Sequence, residues 1–216
     1  GREGGYVIQI NTKIANKEMD GMSSKPVIYQ FKVALSNVRP PVWRRVEVPG
    51  GITLYRLAAT LITVMGWHGG HLHQFRISGK YYGIPDEDGI AETIDEREML
   101  LRDIIDQGIK RFIFEYDFGD GWEHVVQFEG AVEPEPGAKY PRCVKGARHC
   151  PPEDCGGPWG YADFLKAIRD PKHPEHESML EWIGGDFDPD EFDLEELSDL
   201  AGGAKYMEKE WNDHFE

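Results

Sequence analysis

Cysteine is scarce in this chain: three in 216 residues, an odd number in a mid-sized protein, which argues against a disulfide framework. Long apolar runs are missing too. None approaches the roughly 18–20 residues that a membrane-spanning helix needs, and the N-terminus lacks the basic-then-apolar pattern of a secretory signal. A cytoplasmic protein without membrane contact is expected. Positive charge is also short, with 24 Lys and Arg against 39 Asp and Glu, for a net −15. The deficit is local. Pro174 to Glu216 holds 15 acidic and 2 basic residues, leaving 24 and 22 in the rest, so a nearly neutral body is followed by a strongly acidic end. Non-specific nucleic-acid binding draws on a broad basic face. No nucleic-acid partner is expected, and the ligand or protein partner is left unidentified. The acidic end should be solvated, because burying that much charge is costly.

What is present suffices for a core: 40% hydrophobic and 12% aromatic residues. Residues 1–24 read as an extension, with Tyr6–Ile10 strand-like and Met22 a natural start for the main domain. That domain reads as residues 25–203, and 204–216 as an acidic C-terminal helix or tail. Strict alternation marks strands at Val27–Leu35 and Val42–Val48. Thr53 has N-cap chemistry, and Leu54, Leu57, Ala58, Leu61, Ile62 and Met65 repeat at helical spacing. A third strand is expected over His71–Ile77, a short helix over Glu98–Ile105, and helices over Ala162–Ile168 and His173–Trp182. The fold class is α+β, a mostly antiparallel, β-grasp-like sheet with a packed helix, followed by a helical C-terminal part.

The organising stretch is Phe112–Phe128, two strands joined at Gly119-Asp120-Gly121, where glycine supplies the backbone freedom of a hairpin. Asp117, Asp120, Trp122 and His124 crowd its bend, more polar and aromatic cargo than a turn requires. His71 and His73 stand two apart, so on a strand they share a face and are able to ligate a metal together. All three cysteines fall in Tyr140–Tyr161, which four glycines and four prolines mark as a loop. So long a loop is functional or held by something. Asp186, Asp188 and Asp190 imitate the start of a calcium loop, but Glu191 stands where glycine belongs, and the stretch is read as an acidic turn.

Taken together, Val42-Trp43-Arg44-Arg45, Gly66-Trp67, His71-Leu72-His73-Gln74-Phe75, Tyr116–His124, Cys150–Gly157 and Phe187–Asp193 resemble the plasmid pRiA4b ORF-3-like family over roughly Val27 to Gly203. The resemblance implies a shared fold and brings no established activity. Some members carry a resolvase label, but neither an activated serine among arginines nor a tyrosine with Arg and His partners is apparent here. Asp117-Phe118-Gly119 lacks the companion motifs of a kinase.

The chemistry has three readings. A structural zinc site would draw on Cys143, Cys150 and Cys155, with His149 or a strand histidine as fourth ligand; the alternative is that the cysteines are small buried hydrophobes. A metal-dependent hydrolase would use His71, His73, Asp117, Asp120 and His124 as ligands and Glu153 or Asp154 as base. The preferred reading is a non-catalytic binding or scaffold module. Its cleft would be lined by Trp67, Trp122 and Trp159, with His71, His73, Asp117, Asp120, His124, Glu153 and Asp154 fixing a ligand. Topology adds one expectation: the histidine pair, the hairpin bend and the Cys loop share one end of the sheet. Zinc is the one cofactor considered.

Overall fold

A computed structural model describes residues 26–85 and 92–215. The expected extension at 1–24 and residues 86–91, part of an acidic stretch from Pro85 to Arg97 that reads as a loop, lie outside them. In chain order the elements are β1 (Ile28–Leu35), β2 (Trp43–Pro49), α1 (Leu54–Met65), β3 (His73–Ile77), β4 (Lys80–Gly83), β5 (Thr93–Asp95), α2 (Leu101–Asp106), β6 (Arg111–Tyr116), β7 (Trp122–Val132), β8 (Arg142–Ala147), α3 (Gly157–Arg169), α4 (His176–Ile183) and α5 (Leu194–Phe215). The strands form one open sheet in the order β5-β4-β3-β6-β7-β1-β2-β8. Every pairing is antiparallel except β4 with β5 at one edge. The fold is thus α+β, with eight strands among the described residues where five were expected.

Pairing register decides which side chains share a face. Tyr116 opposes Trp122, Phe114 opposes His124 and Phe112 opposes Val126. Phe75 opposes Phe114, and Val33 opposes Val126. All of these residues are buried, on the face that helices cover. The opposite face is polar, with Arg45 paired to Glu129 at 2.6 Å and Arg76 to Glu123 at 2.6 Å. This alternation of apolar and polar faces is that of an antiparallel sheet covered on one side.

Helix α1 begins where Thr53 Oγ1 accepts from Arg56 N at 3.1 Å and ends at Gly66, whose φ of +102° suits glycine. Every residue of α1 except Arg56 is buried, because the sheet lies on one side and α5 on the other. Fully burying each of its leucines contributes roughly 1.5–3 kcal/mol.

Three elements differ from the sequence expectation. The Cys-rich stretch opens with a strand, β8, which pairs with β2 from Trp43↔Ala147 to Glu47↔Arg142; its irregular part begins only after Ala147. The strand expected from His71 begins at His73, so His71 sits in the approach to it. The acidic end is more than a solvated tail. Helix α5 runs unbroken through residue 203 and buries Leu197, Ala201, Ala204, Met207 and Trp211 at helical spacing. Glu195, Glu196, Asp199 and Glu208 stay outside that stripe, and Glu208 pairs with Arg56 at 2.6 Å. Helix α4, by contrast, buries no residue.

Candidate functional site

The irregular segment after β8 is fastened across one end of the sheet by a series of bonds. Trp67 Nε1 donates to Pro151 O at 2.9 Å, and His68 N to Glu153 Oε1 at 3.3 Å. The Tyr116 hydroxyl donates to the same Glu153 oxygen at 2.6 Å, and Gly156 N to Asp120 Oδ2 at 3.1 Å. Gly157 has φ +68° and lies so tightly against the Asp120 backbone carbonyl that a Cβ there would overlap it. These contacts account for the order of a Gly/Pro-rich loop. They also bring the histidine segment, the hairpin bend and the Cys loop to one end of the sheet.

At that end three side chains from separate segments converge. His71 Nδ1 lies 3.7 Å from Asp117 Oδ2, and His71 Nε2 lies 3.4 Å from Asp154 Oδ1. One ligand atom from each falls within 4.8 Å of the others. Among the described residues no other group of three or more His, Cys, Asp or Glu meets that spacing. The Asp117 carboxylate is oriented by its own turn: Oδ1 accepts from Gly119 N at 2.9 Å and Asp120 N at 3.3 Å, which leaves Oδ2 toward His71. Asp117 and Asp154 have φ of +57° and +59°, a left-handed conformation that Asp tolerates better than most residues. Exposure is graded across the three, with side chains 11% (Asp117), 32% (His71) and 73% (Asp154) accessible. The site is thus buried on the hairpin side and open on the loop side.

Tyr116 backs the site. It stacks on Trp67 with centroids 5.0 Å apart and meets His71 edge-on at 5.8 Å. Burial, then the Glu153 carboxylate, pushes its hydroxyl well above the ordinary phenol range, so Tyr116 stays a donor to Glu153.

Other candidates lie elsewhere. His73 points away from His71. Its Nε2 is 2.7 Å from Glu96 Oε1, and its ring stacks on Trp211 at 4.8 Å, under α5. The strand-face argument that paired the two histidines does not apply, because His71 precedes the strand. His124 is fully buried in the core, because β7 presents it with Trp122 and Val126 to the helix-covered face. Its Nδ1 is 3.1 Å from Phe114 O, its Nε2 has no partner, and burial lowers its pKa to about 4. Trp67 and Trp122 are core residues at 3% and 1% exposure, so they line no cleft, whereas Trp159 is 81% exposed. Asp120 and Glu153 fasten the loop.

Among the described residues the cysteines join no group of three ligands at metal-binding spacing. Cys143 and Cys150 are buried and Cys155 partly so. His149 has Nδ1 2.7 Å from Cys150 O and its ring against Phe187 at 4.7 Å. Burial raises all three thiols, Cys150 well above its ordinary range and Cys155 to about 12, with Asp120 adding to the latter. Thiols so placed are protonated at neutral pH and weak as nucleophiles.

Two residues of consequence escaped the sequence reading. Arg44, 1% exposed, sends Nε to Val64 O at 2.8 Å and Nη1 to Trp43 O and Ala147 O at 3.0 Å each. It satisfies a carbonyl in the last turn of α1, where a cation also suits the helix dipole. The available signal was an arginine on the otherwise apolar face of Val42-x-Arg44-x-Val46-x-Val48. Glu96, at 0% exposure, sits in a stretch that reads as an acidic loop, and nothing local marks it as the partner of His73.

Comparison with known proteins gives relatives of matching length. Residues 27–196 match the family model described as plasmid pRiA4b ORF-3-like protein. The uncharacterized protein y4hQ of Sinorhizobium fredii (strain NBRC 101917 / NGR234) is 43% identical over 188 residues, which cover 84% of this chain and 95% of that protein. The crystal structure of a protein of unknown function, MM3350 from Methanosarcina mazei Go1, superposes with a TM-score of 0.75 at 33% identity, covering 81% of this chain and 99% of that one.

Proposed function

The chain belongs to the plasmid pRiA4b ORF-3-like family, and on that premise we propose that it is a binding module that takes its ligand through a divalent cation held by His71, Asp117 and Asp154. The observation that carries this reading is the meeting of one imidazole and two carboxylates within 4.8 Å, contributed by three segments far apart in sequence. Nitrogen and oxygen donors in this ratio suit Mn²⁺, Fe²⁺ or Zn²⁺. Three protein ligands leave coordination positions open, and the exposed Asp154 side is where a ligand's oxygens would enter. Exposed apolar residues lie close in sequence to the cation ligands: Leu72 follows His71, Phe118 follows Asp117, and Trp159 is in the first turn of the helix after Asp154. Exposed apolar residues in the same three segments favour a partner that brings both a metal-binding group and apolar surface.

Metal-assisted hydrolysis is the second reading, because open positions on the same three ligands would also admit an activated water. Glu153 suits the role of base less well than the sequence suggested, since one carboxylate oxygen already accepts from Tyr116 and His68.

The test is calorimetric titration of the full chain with Mn²⁺ and with Zn²⁺. One saturable site is expected. Asp117→Asn keeps the turn acceptor and tolerates the left-handed backbone but removes the charge; it and His71→Ala should each weaken the site about a hundredfold, with unfolding unchanged. Cys143→Ser and Cys155→Ser should leave it intact. Absence of a saturable site, or loss that tracks the cysteines, overturns the proposal. Metal-dependent turnover of p-nitrophenyl phosphate would move the reading to catalysis.

A further inference from the structure

Beside Asp154 a cleft of about 380 Å³ opens between α3 and α4. Its apolar surface comes from buried Phe164, partly buried Met179 and Trp182, a residue 48% exposed. Phe164 and Trp182 meet edge-on at 5.8 Å, so the aromatic wall is held in place. Its polar lining includes three carboxylates, Asp154, Asp163 and Glu175, and no lysine or arginine lines it. The volume falls in the range of small-molecule sites. An apolar wall alone would take any greasy ligand, and carboxylates alone would take any cation. The combination selects a cation carried on an apolar stem, whose charge is also attracted to an exposed indole face. Asp163 already pairs with Lys166 at 2.7 Å, but both side chains are more than 70% exposed. A surface pair of that kind is worth under about 1 kcal/mol, so it yields readily to a ligand.

We propose that this cleft binds a free aliphatic amine or diamine, its stem against Phe164, Met179 and Trp182 and its ammonium at the carboxylate rim. The site shares Asp154 with the proposed metal centre and otherwise uses different residues, so it stands without the metal reading. Two cations drawing on one carboxylate oppose each other, and the opposition is reciprocal by linkage.

The experiment titrates the full chain with 1,5-diaminopentane and, separately, with the isosteric neutral 1,5-pentanediol, by calorimetry at low and at moderate salt. The diamine should bind saturably, one per chain and more weakly as salt rises, while the diol should not bind. Trp182→Ala and the Asp163→Asn/Glu175→Gln pair should each lower diamine affinity at least about fivefold with thermal unfolding unchanged. Asp117→Asn, which weakens the metal site, should leave the diamine affinity of the metal-free protein intact, so failure of either proposal is seen separately. The diol binding as well as the diamine, neither binding, or tetralysine binding in place of the free diamine would overturn the assignment.

Discussion

Replacing His124 with phenylalanine should abolish a specific part of the protein's acid sensitivity. The ring has 0% exposure, lies 5.3 Å from Trp67 and 5.4 Å from Phe114, and leaves Nε2 without a partner. Burial lowers its pKa to about 4, against opposing backbone contacts from Phe114 and Trp122. An imidazole in the unfolded chain titrates near 6.5. Above about pH 6.5 the ring is neutral in both states and contributes no pH dependence. Between about 6.5 and 4 the unfolded chain takes up a proton that the folded one refuses, so stability falls as pH falls. Below about 4 both states are protonated and the loss is complete. At about 1.4 kcal/mol per pH unit the loss totals about 3 kcal/mol. Phenylalanine keeps a ring in the same packing and removes the titration. It also removes the Nδ1 contact to Phe114 O, worth about 1 kcal/mol, and the opposing penalty of the unpartnered Nε2. Urea unfolding of both proteins at intervals from pH 7 to 4.5 is the assay. The expected result is similar stability at pH 7 and a slope between pH 6.5 and 4.5 that is shallower in the variant by most of that 3 kcal/mol. Parallel slopes would refute the reasoning, because His124 would then be taking its proton while folded.

Two further substitutions probe how the site end is built. Gly157→Ala would place a Cβ against the Asp120 carbonyl in a left-handed backbone, so a loss of about 2 kcal/mol or more is expected, together with faster proteolysis in residues 148–156; an unchanged melting temperature would show the loop is not seated there. Arg44→Ala should cost about 3 kcal/mol or more in chemical denaturation, by stranding the Val64, Trp43 and Ala147 carbonyls and opening a cavity. Arg44→Lys should recover less than half of that, since a single ammonium cannot serve three divergent carbonyls as a guanidinium fork does; full recovery would reduce Arg44 to a point charge.

Much of the framework was legible because it is local. Alternation at Val27–Leu35 and the apolar repeat after Thr53 depend on neighbours within one or two turns, and β1 and α1 lie where those patterns put them. The hairpin around Gly119–Gly121 was legible for the same reason. Composition alone implied that Glu195, Glu196 and Asp199 lie on the outside of α5, although its apolar stripe also seats it on α1. Partnerships between distant segments were not legible. His71 and His73 are indistinguishable in sequence, yet the strand begins between them, and one reaches Asp117 and Asp154 while the other is enclosed by Glu96 and Trp211. His124 reads as a candidate ligand from its neighbours at the bend. The register that sets it opposite Phe114 on the helix-covered face makes it a core residue. Asp154 becomes part of the candidate site only because Glu153, Gly156 and Gly157 fasten its loop across the sheet end, to residues more than thirty positions away. Periodicity carries the pitch of a helix and the two faces of a strand. Which faces meet depends on strand order and loop docking, and those are decided by the free energy of the whole packed chain.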